Sequence, residues 1–175
     1  MSTIEPLPAL LQSFPPVVDD RAGILILGSM PGAASLKENQ YYAHPRNSFW
    51  WIFGELVGAK PELPYNKRIA LLQQHGIALW DVLARCERPG SLDANIIEKS
   101  IVPNDFVPFY RQYPRIWRVF FNGSKARDSY QQYVLPTLRG MDMHIEYDRL
   151  PSTSPAHAGR PPAEKLEEWR VVLGG

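Results

Sequence analysis

Side chains able to orient water, pair with a polar ring edge or hold an anion are concentrated in three segments of this sequence. The first, Gly28 to Trp51, reads GSMPGAASLKENQYYAHPRNSFWW and places Asn39, Tyr42, His44 and Asn47 between a Gly-x-x-Pro-Gly turn and a Phe-Trp-Trp run. Carboxamides such as Asn39 and Asn47 are too weak as bases to take a proton from water, so their chemistry is orientation of water and support of developing positive charge. His44 offers an imidazole to the same work, or fixes its loop by a hydrogen bond. The second segment opens at Asn122-Gly123-Ser124-Lys125. A carboxamide at a strand end accepts from one ring N–H and donates to the neighbouring carbonyl oxygen; an alternative role for Asn122 is the left-handed turn before Gly123. The third segment, Pro151 to Arg160, reads PSTSPAHAGR. Hydroxyls of Ser152, Thr153 and Ser154, free backbone N–H groups and the Arg160 guanidinium form a donor set for phosphate oxygens, to which Lys125 adds charge. The same composition also suits an ordinary Pro-Ser loop, and His157 within it is a further candidate.

All three segments follow directly on predicted strands: Ile24–Leu27, Ile116–Phe121 and Met143–Leu150. A fourth strand is predicted over Ile77–Leu83 (IALWDVL), where Asp81 is read as capping a turn or pairing with Arg85. Helical spacing is found over Ser48–Val57, with Asn47 or Ser48 as N-cap, and over Asn66–His75, with Gly76 past its end. Further helices are predicted over Pro103–Tyr113, opened by Pro103 or Asn104, after Asn122-Gly123-Ser124-Lys125 to about Val134, and over Pro162–Val172, whose outer face carries charges including Lys165. Cys86–Asn95 reads as a loop. Strands alternating with helices predict a three-layer αβα fold around a central, mainly parallel four-stranded sheet. The three segments then converge on one edge of that sheet, where open α/β folds bind ligands.

At 175 residues the chain is expected to be one domain, 1–175, with a proline-rich arm over 1–20. Its 19 basic and 18 acidic residues give a net charge of +1, which neither demands nor excludes a polyanionic partner. The single cysteine, Cys86, excludes an intrachain disulfide or a cysteine-based zinc site, and no HExxH, GxGxxG or GxxxxGK occurs. No metal or cofactor is therefore expected. Without an apolar run of membrane-spanning length or a leader, the chain is expected to be cytoplasmic, nucleoid-associated and free of membranes.

The Gly-x-x-Pro-Gly turn, Ala43-His44-Pro45-x-Asn47 and Phe49-Trp50 together resemble motif 1 of the uracil-DNA glycosylase superfamily. The form Ser29-Met30-Pro31-Gly32 with Gln40 to Asn47 is most similar to the hypoxanthine (deoxyinosine) branch. Val119-Phe120-Phe121-Asn122-Gly123 resembles the strand whose Asn reads the extruded base, and Leu150–Ala158 resembles motif 2, which grips the DNA backbone. The resemblance implies a monofunctional glycosylase that flips a deaminated base, most readily hypoxanthine, out of single- or double-stranded DNA and hydrolyses its N-glycosidic bond. It implies action as a monomer in base excision repair. Tyr42 would stack on the base, with Asn122, Gly28, Ser29 and Met30 around it, and Tyr41 is a rival for guarding the entrance. Asp93 and Asn95 would help line the site.

Two departures from the family pattern bear on the chemistry. Met30 stands where relatives place Asp or Asn to position water, which makes Asn47 the nearest replacement, with His44 and Asn39 as rivals, while His157 is a candidate for stabilising the departing base. Leu150 stands where many relatives begin motif 2 with His. The alternatives are a uracil- or mismatch-directed glycosylase, a catalytically inactive DNA-binding relative, and a hydrolase using Ser152 or Ser154 with His157.

Overall fold

The structure, a computed structural model, describes residues 10–174; Met1 to Ala9 of the proline-rich arm lie outside the described residues. Short apolar runs bounded by Gly, Pro and Asn form strands, and runs with apolar residues three and four apart form helices. The strands are β1 (Leu10–Gln12), β2 (Ile24–Gly28), β3 (Ile77–Asp81), β4 (Leu83–Glu87), β5 (Val102–Pro103), β6 (Arg118–Asn122) and β7 (Glu146–Leu150). The helices are α1 (Ala33–Glu38), α2 (Phe49–Val57), α3 (Tyr65–Gln74), α4 (Phe106–Gln112), α5 (Ser124–Ser129) and α6 (Pro162–Trp169).

The main sheet has the order β3-β2-β6-β7 and is parallel throughout. Successive side chains of β2 feed opposite faces. Leu25 and Leu27 pack with Phe106, Phe121 and Tyr130, whereas Ile26 packs with Phe49, Phe53 and Trp169. Both faces are therefore covered by helices, which is why this strand is apolar at every position. The three-layer αβα arrangement follows from that coverage. Because all four strands run the same way, Gly28, Asp81, Asn122 and Leu150 end on one edge of the sheet.

Several local expectations are corrected. The predicted strand over Ile77–Leu83 is two strands. It breaks after Asp81, and β4 joins β1 and β5 in a small antiparallel sheet, order β1-β4-β5, so Cys86 sits in a strand and not in a loop. Residues 10–20 are tied to the body of the fold through β1 and a bridge from Val17 to Leu79. The long loop after Gly28 contains a six-residue helix, α1. Helix α4 is capped by Asp105, whose carboxylate accepts from Val107 N–H at 3.3 Å, while Pro103 belongs to β5. After α5 the chain continues through a π-helical turn, Tyr130–Val134, which carries Tyr130 into the core against Phe106 and Phe121.

Candidate functional site

A cavity of about 380 Å³ opens at the C-terminal edge of the main sheet, a usual size for a small-molecule site. Its floor is built on Gly28. A Cβ there would lie 2.6 Å from Asp81 Oδ1 and 3.3 Å from the Tyr42 hydroxyl, so only glycine lets both approach the strand end. Tyr42 itself holds a left-handed φ of 55°, a conformation unfavourable for a tyrosine by about 1 kcal/mol. Its neighbour Tyr41 is pinned on three sides. Trp50 Nε1 donates to the Tyr41 carbonyl at 2.9 Å, Tyr41 N–H donates to the Tyr65 hydroxyl at 3.0 Å, and the Tyr41 hydroxyl donates to Pro15 O at 2.9 Å. Tyr41 is thus held in the core with one side on the cavity. The Tyr42 ring stacks on Phe49 with centroids 4.1 Å apart and planes at 20°, and its buried hydroxyl has no hydrogen-bond partner. Burial pushes the phenol up, the Asp81 carboxylate adds to this and the Asn122 amide opposes it.

Asn122 is in extended strand conformation; the left-handed position belongs to Gly123, at φ 91°. The Asn122 carboxamide bonds Thr153 twice, Nδ2 donating to Oγ1 and Oδ1 accepting from the Thr153 N–H, each at 2.9 Å. Thr153 also accepts from Ser48 N–H at 3.0 Å through its carbonyl, and it is buried. With Thr153 only 1% exposed, its hydroxyl lies away from the surface at which the sequence places a phosphate donor. The Ser152 hydroxyl accepts from Ser154 N–H, and the Ser154 hydroxyl from Ala156 N–H, both at 3.2 Å, which leaves each hydroxyl proton free on the cavity rim.

Helix α6 holds this loop from below. Lys165 is only 3% exposed, and its Nζ donates to Ser152 O at 2.7 Å and His157 O at 2.9 Å, while Trp169 Nε1 donates to Pro151 O at 3.0 Å. Lys165 is thus not on the outer face of the helix. Burial, with some help from Arg160, lowers its pKa. The signal was in the sequence, because Lys165 and Trp169 are four residues apart on one helical face.

His44 and Asn47 line the cavity, half-buried. His44 Nδ1 accepts from Arg46 N–H at 3.0 Å, so a neutral ring carries its proton on Nε2. Asn47 Oδ1 accepts from Phe49 N–H at 3.0 Å, capping α2 and leaving the amide NH₂ and one lone pair unused. Asn39, by contrast, is the left-handed C-cap of α1 at φ 54° and does not line the cavity, which removes it as a rival. Ser29 donates to Asp93 Oδ1 at 2.6 Å, and Arg88 donates to Pro31 O and Gly90 O, at 2.8 and 2.9 Å, so the Gly-Pro-Gly turn is clamped from the segment after β4. Met30 is buried in the core with one side on the cavity, and Asn95 is exposed away from it. His157 lies on the rim.

The two cations expected to meet phosphate have other partners. Arg160 pairs with Glu168 at 2.9 Å, and Lys125 pairs with Glu98 and lies outside the cavity lining. Among the described residues, no group of three or more His, Cys, Asp or Glu side chains is placed to hold a metal ion. Sequence reasoning also misassigned Asp81. It makes no pair with Arg85 and caps no turn; its side chain lines the cavity, buried. The available signal was a carboxylate in an apolar strand at the position level with Gly28.

A family model of the uracil DNA glycosylase superfamily matches residues 15–173. The chain belongs to this superfamily. Among similar proteins, a hypoxanthine DNA glycosylase of Methanosarcina acetivorans is 36% identical over 163 residues, which cover 93% of this chain and 97% of that protein. A hypoxanthine DNA glycosylase of Methanosarcina barkeri is 39% identical over 131 residues, covering 74% and 78%. A solution NMR structure of a Methanosarcina acetivorans protein assigned to the uracil DNA glycosylases superposes with a TM-score of 0.75 at 35% identity, covering 94% of this chain and 97% of that one. The uracil DNA glycosylase superfamily thus accounts for the sheet and for the three segments at its edge. It does not by itself account for Met30, Leu150 or the buried carboxylate of Asp81.

Proposed function

We propose that the protein is a monofunctional DNA glycosylase that takes a deaminated base, hypoxanthine before uracil, out of the DNA stack and hydrolyses its N-glycosidic bond. The observation that carries this reading is the convergence of Tyr42, Asn122, His44 and Asn47 on one cavity at the strand ends, in a chain of this superfamily. Tyr42, backed by Phe49, is the stacking surface for the base. Asn122, with one N–H and one lone pair left over from Thr153, reads a ring N–H and the adjacent carbonyl, the edge that hypoxanthine and uracil share and adenine and cytosine reverse.

Asn47, fixed at the start of α2, orients water toward C1′ through its free NH₂ and lone pair. An amide does not take the proton, so water attacks as positive charge develops on the sugar, the bond electrons leave with the base, and the proton passes to solvent. His44 supplies the Nε2–H donor beside this path. Among the described residues no lysine lines the cavity, and water is the nucleophile in this reading. Ser152, Ser154 and loop N–H groups hold the phosphates on either side of the lesion, on single- or double-stranded DNA, with the protein acting as a monomer.

The test is incubation with oligonucleotides containing one inosine, uracil or xanthine, followed by alkaline cleavage at abasic sites. Strand breaks at inosine in excess of those at uracil are expected. Binding without breaks at any base would identify a DNA-binding relative without catalysis.

A further inference from the structure

Asp81 has no part in the reaction as derived above, yet it is 3% exposed, lines the cavity and leaves its Oδ2 without a hydrogen-bond partner. Its position is fixed by the backbone. The Asp81 carbonyl accepts from Asn104 Nδ2 at 2.7 Å, and the next residue, Val82, donates its N–H to Gly28 O at 2.8 Å. A buried carboxyl oxygen left unpaired is costly, and such atoms recur where a ligand completes the set. The charged and titratable groups around it do not complete it. Arg88, from the segment after β4, donates from Nε and Nη2 to the Gly90 and Pro31 carbonyls, and its buried Nη1 makes no hydrogen bond to Asp81; Asp93 accepts from Ser29; the Tyr41 phenol donates to Pro15 O, and the buried Tyr42 hydroxyl makes no hydrogen bond to Asp81 either.

We propose that Asp81 is a specificity-determining residue that meets the extruded base as a neutral carboxylic acid, donating a hydrogen bond from Oδ1, the oxygen that faces the Gly28 floor, to a carbonyl oxygen or unprotonated ring nitrogen. The inference rests on the glycosylase reading. A flipped nucleotide enters base first, so the deepest polar groups face the ring, while half-buried His44 and Asn47 remain at the level of the sugar. Asp81 and Asn122 end the strands on either side of β2, which sets them roughly 10 Å apart across Gly28. A planar base lying over Gly28 is then read from two sides. Asn122 takes the N–H and carbonyl edge, and Asp81 takes an acceptor elsewhere on the ring. Burial, with Asp93 adding and Arg88 opposing, pushes the Asp81 carboxyl up to about 7, so the donor form is present at and below neutrality.

The experiment is single-turnover base release from inosine- and uracil-containing duplexes by the whole protein, from about pH 5.5 to about pH 9. The wild-type rate is expected to be level on the acid side and to fall above about pH 7, approaching about tenfold per pH unit. Asp81→Asn, whose amide donates at every pH, should lose that alkaline fall and overtake the wild type at the alkaline end. Asp81→Ala should be slower than the wild type by about tenfold on the acid side, with no alkaline fall. Any pH dependence due to His44 or His157, which line the same cavity, survives in Asp81→Asn, so an alkaline fall unchanged in that variant overturns the proposal. A wild-type rate that rises through neutrality also overturns it, because a carboxylate aligning water would act in its ionised form. Release by the wild type from no duplex removes the glycosylase reading and this inference together, whereas the first two adverse results remove only the role of Asp81. Should Asp81→Ala fail to fold, the near-isosteric Asp81→Asn carries the test alone.

Discussion

Thr153 holds both ends of the Asn122 carboxamide, its backbone N–H against Oδ1 and its hydroxyl against Nδ2, each at 2.9 Å. A backbone N–H only donates, so the amide has one orientation, and its remaining N–H and lone pair point in fixed directions. The loop that follows β7 thereby sets the aim of the residue proposed to read the base.

Removing that aim should slow release without abolishing the fold. Thr153→Val keeps the backbone bond and loses the hydroxyl, and single-turnover release of every accepted base should fall about tenfold, the worth of one hydrogen bond. Asn122→Ala should lower turnover of every accepted base by more. Asn122→Asp offers acceptors only and should shift preference toward bases with two donors. A substrate profile identical in all three variants would reduce Asn122 to a strap for the loop.

Asn47 has two roles that variants can separate. Asn47→Ala should stop base release while DNA binding persists, and should also lower stability by about 1 kcal/mol through the lost cap on Phe49 N–H. Asn47→Ser retains a capping oxygen and should restore the melting temperature but not the release rate. Restoration of both would show that Asn47 acts only through α2.

The α6 lysine should behave as an internal staple. Lys165→Met leaves the Ser152 and His157 carbonyls without their donor and should cost on the order of 2 to 4 kcal/mol. Base release should drop along with the melting temperature, because the loop that carries Thr153 loosens. Wild-type behaviour in both measurements would contradict the buried position.

Arg160 reaches DNA only by leaving Glu168. Glu168→Gln weakens that pair and should raise affinity for a labelled duplex at low salt, with the log–log salt slope steepening by up to about one unit, the contribution of one phosphate contact. Arg160→Ala should make the wild-type slope shallower by no more than about one unit. Fluorescence anisotropy across a salt series reads both. Equal slopes in all three proteins would place the backbone contacts elsewhere.

The raised carboxyl of Asp81 also has a signature in stability. Its folded value of about 7 lies above the ordinary 3.8, so between these two pH values the unfolded chain ionises while the folded chain keeps the proton. Stability therefore declines as pH rises through that window and levels off above about 7, by up to about 4 kcal/mol. Asp81→Asn removes the decline. Its melting temperature should exceed that of the wild type by little near pH 4 and by up to on the order of 10 °C near pH 8. A gap independent of pH would mean that Asp81 ionises normally in the fold.

How much was legible in sequence depended on whether a residue's environment is set locally. β2 and β6 are apolar at every interior position and end in Gly28 and Asn122, so strand and edge could be read directly. The antiparallel sheet was missed because Leu83–Glu87 mixes apolar and charged residues and its partner, Leu10–Gln12, lies far back in the chain. Helix α1 was missed because six residues are too few to show a period. Tyr42, His44, Asn47 and Asn122 were singled out by motif and by position after strands, and all four line the cavity. Asp81 and Thr153 were misjudged because their surroundings are settled by partners distant in sequence, Gly28 and Asn122, and the pairing of Arg160 with Glu168 was not foreseen.

The parallel strand order has a consequence for how the protein comes into being. No two neighbours in the β3-β2-β6-β7 sheet are joined by a hairpin, so every pairing closes a long stretch of chain, and folding of this topology is slow. The strap on Asn122 and its anchor on Lys165 and Trp169 are made by the last segment in the sequence. During refolding, a sheet of β3, β2 and β6 can stand with one edge still unpaired, registering in circular dichroism yet unable to hold a base. Base release is then expected to return on refolding no earlier than the docking of β7 and α6, and a lag of activity behind the circular-dichroism signal is the measurement that checks it.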